Sequence, residues 1–292
     1  MEVKMSHLLS SETIKIRKGA IDCAVYRPTN PAQSEKTPVL LVCGWGSGWT
    51  GIRLIAIFLA ILGYSVIIPS LPGTGDSFTP FRKDWSRNAF ENEACWLNEF
   101  WRIIAKMNNW TKCHFVGHST GCQIGVSMAA KWPDAFSKLV LLSPSGLEEI
   151  SGFWGKLHFA TKFFWSAYRH DRAFKNDEFL GKIWDKSNQQ EAGPFWPWLR
   201  LRQRLDEFRR LCQGNLGREI LGPNFPILGE DVLIMTGTED SVFGETINKL
   251  RPVFEEFGMK VKVIEGGHHN LTKLLANKVA GEIARHLTND NE

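Results

Sequence analysis

The sequence predicts an α/β fold: a mostly parallel, doubly wound sheet with a helical insertion late in the chain. Three observations point there. Short, unbroken apolar runs recur, among them "VLLVCG" (39 to 44), "KLVLLS" (138 to 143) and "DVLIMTG" (231 to 237). Runs of this kind belong to strands buried on both faces, as parallel strands are. Segments with apolar residues at helical spacing lie between them, and parallel neighbours need such crossovers. The alternation then stops between 147 and 225 and resumes after it.

The elements follow in order. "TIKIRKGAIDCAVYR" (13 to 27) alternates on either side of Lys18-Gly19 and reads as a β-hairpin. After a polar loop (30 to 38) comes the first buried strand, 39 to 44. A helix is expected over 51 to 62, a strand at "YSVIIPS" (64 to 70), the loop "PGTGDS" (72 to 77), and a helix over 84 to 107. "CHFVG" (113 to 117) is a strand, followed by a helix over 120 to 132 that Pro133 stops. After the strand at 138 to 143, residues 147 to 225 carry aromatic-rich helical patterns and no convincing buried strand. The close is a strand (231 to 237), a helix (244 to 257), "KVKVIEG" (260 to 266) as a strand, and a last helix with Leu275, Val279 and Ile283 on one face.

Bulk properties narrow the function classes. A chain of 292 residues is long enough for one or two domains with a sizeable core. Net charge is only +4, no Lys/Arg block stands out, and nucleic acid is not an expected partner. Cys23, Cys43, Cys95, Cys113, Cys122 and Cys212 are scattered, several within apolar runs. They suit free thiols in a reducing compartment better than a disulfide scaffold or zinc site. "MEVKMSHLLSSETIKI" lacks the pattern of a secretory signal, and "LIAIFLAIL" (54 to 62) is too short to span a bilayer. A cytoplasmic location follows, with peripheral membrane contact left open. "PGTGDS" is too short and wrongly placed for a dinucleotide fingerprint, and no cofactor or metal site is expected.

The chemistry concentrates in "CHFVGHSTGCQIG" (113 to 125). Strand, Gly-x-Ser-x-Gly, helix is the context of a nucleophile elbow. Gly117 and Gly121 leave room for a turn that lifts Ser119 to a helix N-terminus, where the dipole and free amides favour negative charge. Gly125 lets the helix lie close to the strand. Two later strand ends carry partners. "MTGTEDSVF" holds Asp240, three residues after Gly237, and "VIEGGHHNL" holds His268 and His269. Strand carboxyl ends are where open α/β sheets place their sites.

With "VCGWGSG", "GHSTG", "GTED" and "EGGHH" in this order, the chain resembles the α/β-hydrolase superfamily over about residues 13 to 290. The resemblance implies the α/β-hydrolase fold with Ser119 as nucleophile, a histidine as base and Asp240 as its orienting acid. It also implies an oxyanion hole made by the backbone N–H of Thr120 and of Trp45, the latter in the loop after the first buried strand. Serine at 119 is unlike the epoxide-hydrolase and haloalkane-dehalogenase branches, which use aspartate there. Two positions depart from the family. Cys43 stands where a histidine is usual before Gly44, and Ser70 stands where many relatives have aspartate. The first puts the support of the oxyanion loop in question; the second is expected to be structural.

The base is His268 or His269; the spacing leans to His269. Glu239 reads as a solvated turn residue beside Asp240, and His118 as a residue that braces the elbow. The insertion at 147 to 225 divides the core, 1 to 146 and 226 to 292, and sits where relatives carry a lid. It holds 15 of the 34 aromatic residues and 13 Lys/Arg against 10 Asp/Glu, so it supplies +3 of the net +4. Its aromatics either line an apolar pocket or pack the lid to the sheet. The expected activity is a serine hydrolase acting on a carboxylic ester of a small or medium apolar substrate. A carbon–carbon bond hydrolase, a lipase or thioesterase, an aminopeptidase and an acyltransferase use the same machinery. A non-catalytic ligand receptor on the same fold is the reading of another class.

Overall fold

The computed structural model describes residues 9–16, 19–28, 36–44, 48–72, 74, 77, 89–162, 165, 208–209 and 211–288. Eight strands form one sheet in the order β1-β2-β4-β3-β5-β6-β7-β8. They are β1 (Leu9–Ile16), β2 (Gly19–Tyr26), β3 (Val39–Val42), β4 (Val66–Pro69), β5 (Cys113–His118), β6 (Phe136–Leu142), β7 (Val232–Gly237) and β8 (Lys260–Ile264). The β1–β2 hairpin and the β2–β4 pair are antiparallel, and every pair from β4 to β8 is parallel. The hairpin begins four residues earlier than the alternation in the sequence suggests.

Alternate strand residues feed two cores. Leu40 and Val42 of β3 enter one, with Phe100 of α2 (Ala89–Asn108), Ile124 of α3 (Thr120–Lys131) and Phe254 of the helix Gly244–Glu256. Val39 and Leu41 enter the other, with Leu59 of α1 (Arg53–Ile61) and Ile283 of the last helix, Ala276–Thr288. The sheet is therefore covered on both faces, which is why its central strands read as unbroken apolar runs. The helix expected over 51 to 62 splits into a 3-10 turn, Trp49–Ile52, and α1.

Of the insertion expected over 147 to 225, the described parts include helical residues 153–162 (α4) and α5 (Asn215–Ile220). The rest, with "AGPFWPW" and most of "RLRQRLDEFRRL", lies outside the described residues. The last two helices are α6 (Gly244–Glu256) and α7 (Ala276–Thr288). No helix among the described residues is long and apolar enough to cross a membrane.

Candidate active site

Ser119 sits between β5 and α3 with φ 54° and ψ −115°. A non-glycine residue there carries strain of about 1–3 kcal/mol, held in place by its surroundings. The restraints are visible. Ser119 N–H donates to Leu142 O at 2.9 Å, and Ser119 O accepts from Cys122 N–H at 3.1 Å. The glycines are obligatory for close approach. A Cβ on Gly117 would lie 2.8 Å from the backbone of Gly121 and Cys122, and one on Gly121 2.5 Å from Val42 O. On Gly125 it would lie 2.2 Å from the Phe115 ring, so α3 lies directly on β5.

The Ser119 side chain is 2% exposed, and its Oγ makes no hydrogen bond among the described residues. An unpaired buried hydroxyl is costly, and a nucleophile awaiting substrate is one of the few reasons to keep one. Thr120 is the first residue of α3, so no helical carbonyl four residues back can take its amide. Cys122 offers no rival nucleophile. Burial pushes its thiol well up, and its Sγ–H donates to Gly117 O at 3.2 Å.

Two loops at adjacent strand ends carry the other groups. After β7, Asp240 is 5% exposed. Its Oδ1 accepts from the amides of Val242 (3.0 Å) and Phe243 (3.1 Å), and its Oδ2 faces Thr236 Oγ1 and His269 Nδ1, both at 3.4 Å. Burial alone would raise the Asp240 pKa. The His269 charge and hydrogen bond, with the two amides, outweigh it and hold the carboxyl well below the usual carboxylate range. A folded value below the unfolded one means stability that is complete above the ordinary value of 3.8 and is lost as pH falls through and below it. The acid limb of a urea-midpoint-against-pH curve should therefore be steeper for wild type than for Asp240→Asn, by up to about 1.4 kcal/mol per pH unit. Equal slopes would show that Asp240 does not titrate with folding.

The loop after β8 delivers the histidines. Gly267 O accepts Glu239 N–H at 2.8 Å, and Gly266, at φ 70°, donates its N–H to Thr238 Oγ1 at 2.9 Å. Consecutive side chains then diverge. His269, 8% exposed, turns in to Asp240, while His268 Nε2 faces Glu239 Oε2 at 3.3 Å on the surface. The structure thus brings His269, not His268, to Asp240, and pairs the two outer alternatives with each other. Gly237 makes this dovetail possible: a Cβ there would sit 1.8 Å from Gly267 O. Gly237→Ala should push the two loops apart and cost about 2 kcal/mol or more in stability. A thermal unfolding midpoint equal to wild type would contradict that packing.

Two contacts around His269 extend the reading. His118 Nε2–H donates to His269 O at 3.0 Å, since a carbonyl only accepts, and the two rings are 5.3 Å apart. His118 therefore ties the elbow to the histidine loop, in keeping with the bracing role expected for it. Phe243 was not foreseen. Its ring stands edge-on to His269 at 5.2 Å, and Phe159 of α4 packs on Phe243 at 5.6 Å. Only its position two residues after Ser241, in the turn that carries Asp240, could have marked it. Of the residues expected as oxyanion donors, Thr120 opens α3 directly after Ser119, and Trp45 lies outside the described residues.

Comparison with known proteins bears on the family and the fold. Residues 37–272 match the α/β-hydrolase fold family. "Lipase 3" of Moraxella sp. (strain TA144) is 32% identical over 133 residues, 46% of this chain and 37% of that protein. "Lipase 1" of Psychrobacter immobilis is 32% identical over 125 residues, 43% of this chain and 36% of that protein. The matches thus span little more than a third of these relatives. Among solved structures, the thioesterase domain from the curacin biosynthetic pathway superposes with a TM-score of 0.67 at 17% identity, over 94% of this chain and 99% of that one, a likeness of fold. With four fifths of its length matched, the chain belongs to the α/β-hydrolase fold family.

Proposed function

We propose that this protein is a serine hydrolase that cleaves carboxylic esters of small or medium apolar substrates through an acyl-enzyme. The observation that carries the reading is a buried, strained Ser119 whose Oγ has no hydrogen bond among the described residues. It stands above a sheet whose later strand ends pair His269 with Asp240. Ser119 Oγ attacks the ester carbonyl carbon while His269 Nε2 takes the hydroxyl proton. Negative charge collects on the carbonyl oxygen, next to the N-terminus of α3. There the amide of Thr120 donates to it, with that of Trp45 as the second donor. Collapse breaks the ester C–O bond, and His269 returns the proton to the departing alkoxide. Water then repeats both steps on the acyl-enzyme and frees the acid.

The apolar preference rests on the insertion, which we propose acts as a lid over 147 to 225. Phe159 reaches the site through Phe243, while Phe153 and Trp154 of α4 are more than two-thirds exposed. The lipase names of the two relatives point the same way. A cytoplasmic location, with contact to lipid surfaces through these aromatics, is part of the same proposal.

A fluorophosphonate probe tests the reading. Wild type should be labelled and Ser119→Ala should not. No labelling of wild type, or equal labelling of both, would move the protein to the receptor class. A series of p-nitrophenyl esters of rising acyl length should then give a maximum in kcat/KM at short or medium chains. A labelled enzyme that turns over none of them would belong to one of the other reactions of this machinery.

A further inference from the structure

We propose that Asp22, on the antiparallel strand β2 and remote in sequence from every motif of the site, is a positioning residue for the loop that follows β3. The proposal rests on the serine-hydrolase reading and deepens it. That loop matters because it lies against the nucleophile. A Cβ on Gly44 would be 3.0 Å from Ser119 Cβ and 3.0 Å from His118 Nδ1. An amide in such a loop lowers the barrier only if its backbone is already held where the oxyanion will form.

The hold is a closed circuit of hydrogen bonds on Trp49, the residue after Gly48 at the far end of the loop. The Trp49 indole Nε1–H donates to Asp22 Oδ2 at 3.1 Å. The Trp49 backbone N–H donates to Ser70 Oγ at 3.3 Å, and the Ser70 hydroxyl donates in turn to Asp22 Oδ2 at 3.3 Å. Both N–H groups of one residue thus end on a single carboxylate oxygen, one of them through a serine. Across the loop, Cys43 Sγ–H donates to Gly48 O at 2.9 Å and joins its two ends. The carboxylate itself is fixed by the β2–β4 pairing, with Ser70 N–H on Asp22 O at 2.8 Å and Asp22 N–H on Ser77 Oγ at 2.9 Å.

This circuit joins the two departures from the family seen in the sequence. Cys43 closes the loop where a histidine is usual. Ser70 stands where a carboxylate is usual, and the carboxylate that serves this place comes from the neighbouring strand. An acid in the otherwise apolar run "GAIDCAVY" then has a purpose.

The decisive experiment measures kcat, KM and their pH dependence for Asp22→Ala, Trp49→Phe, the pair, and Asp22→Asn. The substrate is the p-nitrophenyl ester that wild type turns over fastest, with Ser119→Ala as the blank. Each of the first two should lower kcat by about tenfold to a hundredfold, the scale of a misplaced or lost oxyanion donor. KM should stay within about twofold and the pH profile should not move. The pair should be no slower than the slower single, because both remove one interaction. Asp22→Asn, which keeps an acceptor for the indole, should recover most of the rate. Additive losses, a loss confined to KM, or an Asp22→Asn enzyme as slow as Asp22→Ala would overturn the proposal. So would a displaced pH profile, since that would place the effect in the His269 loop, which reaches this segment through Thr272 Oγ1 on Gly51 O. If Asp22→Ala fails to fold, the contrast between a slow Trp49→Phe and a near-normal Asp22→Asn tests the same circuit. Wild-type turnover equal to the Ser119→Ala blank would instead bring down the hydrolase reading itself.

Discussion

His269→Ala is expected to slow ester turnover by about four to six orders of magnitude, while His268→Ala stays within a few-fold of wild type. The two residues are neighbours of the same type, so composition and general loop stability are common to both substitutions. What differs is direction. His269 is buried with Nδ1 toward Asp240, which leaves Nε2 as the nitrogen that can take the Ser119 proton. His268 is partly exposed and faces the exposed Glu239, a surface contact of a kind worth at most about 1 kcal/mol. Its substitution leaves in place the hydrogen bonds of Asp240 to His269, Val242 and Phe243. The measurement is kcat/KM on one p-nitrophenyl ester, with fluorophosphonate labelling rate as a second readout. Comparable losses in the two variants would mean that the loop after β8 rearranges in solution and that the inward place of His269 is not its working position.

This pair also shows where sequence reading stops. The identity of the elbow was local. Gly117, Ser119, Gly121 and Gly125 act on atoms within a few residues or on the adjoining strand, so their spacing carried the meaning. Asp240 over Glu239 was legible for the same reason: the turn that starts at Gly237 is short, and its Oδ1 is claimed by the next two amides in reach. His269 over His268 depended on Gly266 taking φ 70° and on Gly237 meeting Gly267 across two loops, a contact between residues 30 apart in the chain. Neither leaves a pattern in "EGGHH". Asp22 was harder still. Its polarity within an apolar strand was visible, but its meaning came from antiparallel pairing of β2 with β4, which sets it against Ser70. Strand neighbours are chosen by the whole sheet, and periodicity reports only that a strand exists. Phe243 is not legible in the sequence, because an apolar residue at a helix start has no chemical signature until its neighbours are known.

Asp240→Asn should be the next most damaging change, with kcat down about 10⁴-fold and the fold retained. The size of the effect follows from which oxygen is already committed. Asp240 Oδ1 sits on two backbone N–H groups, Val242 and Phe243, and these can accept no substitute donor. The asparagine of this variant must therefore place its carbonyl oxygen there, and its NH₂ is forced to the side of His269 Nδ1 and Thr236. Facing a donor, Nδ1 becomes the acceptor, and the imidazole proton moves to Nε2. The nitrogen that should receive the Ser119 proton then already carries one. The loss of rate comes from protonation state rather than position, so a fluorophosphonate should label Asp240→Asn far more slowly than wild type while the variant still folds, its unfolding midpoint lowered by the stability that the ionised carboxylate contributes above pH 3.8. The tautomer can be read directly from the ¹⁵N shifts of His269 in the two proteins. An Asp240→Asn enzyme within tenfold of wild type, with Nδ1–H still in place, would show that Asp240 is not the group that orients His269.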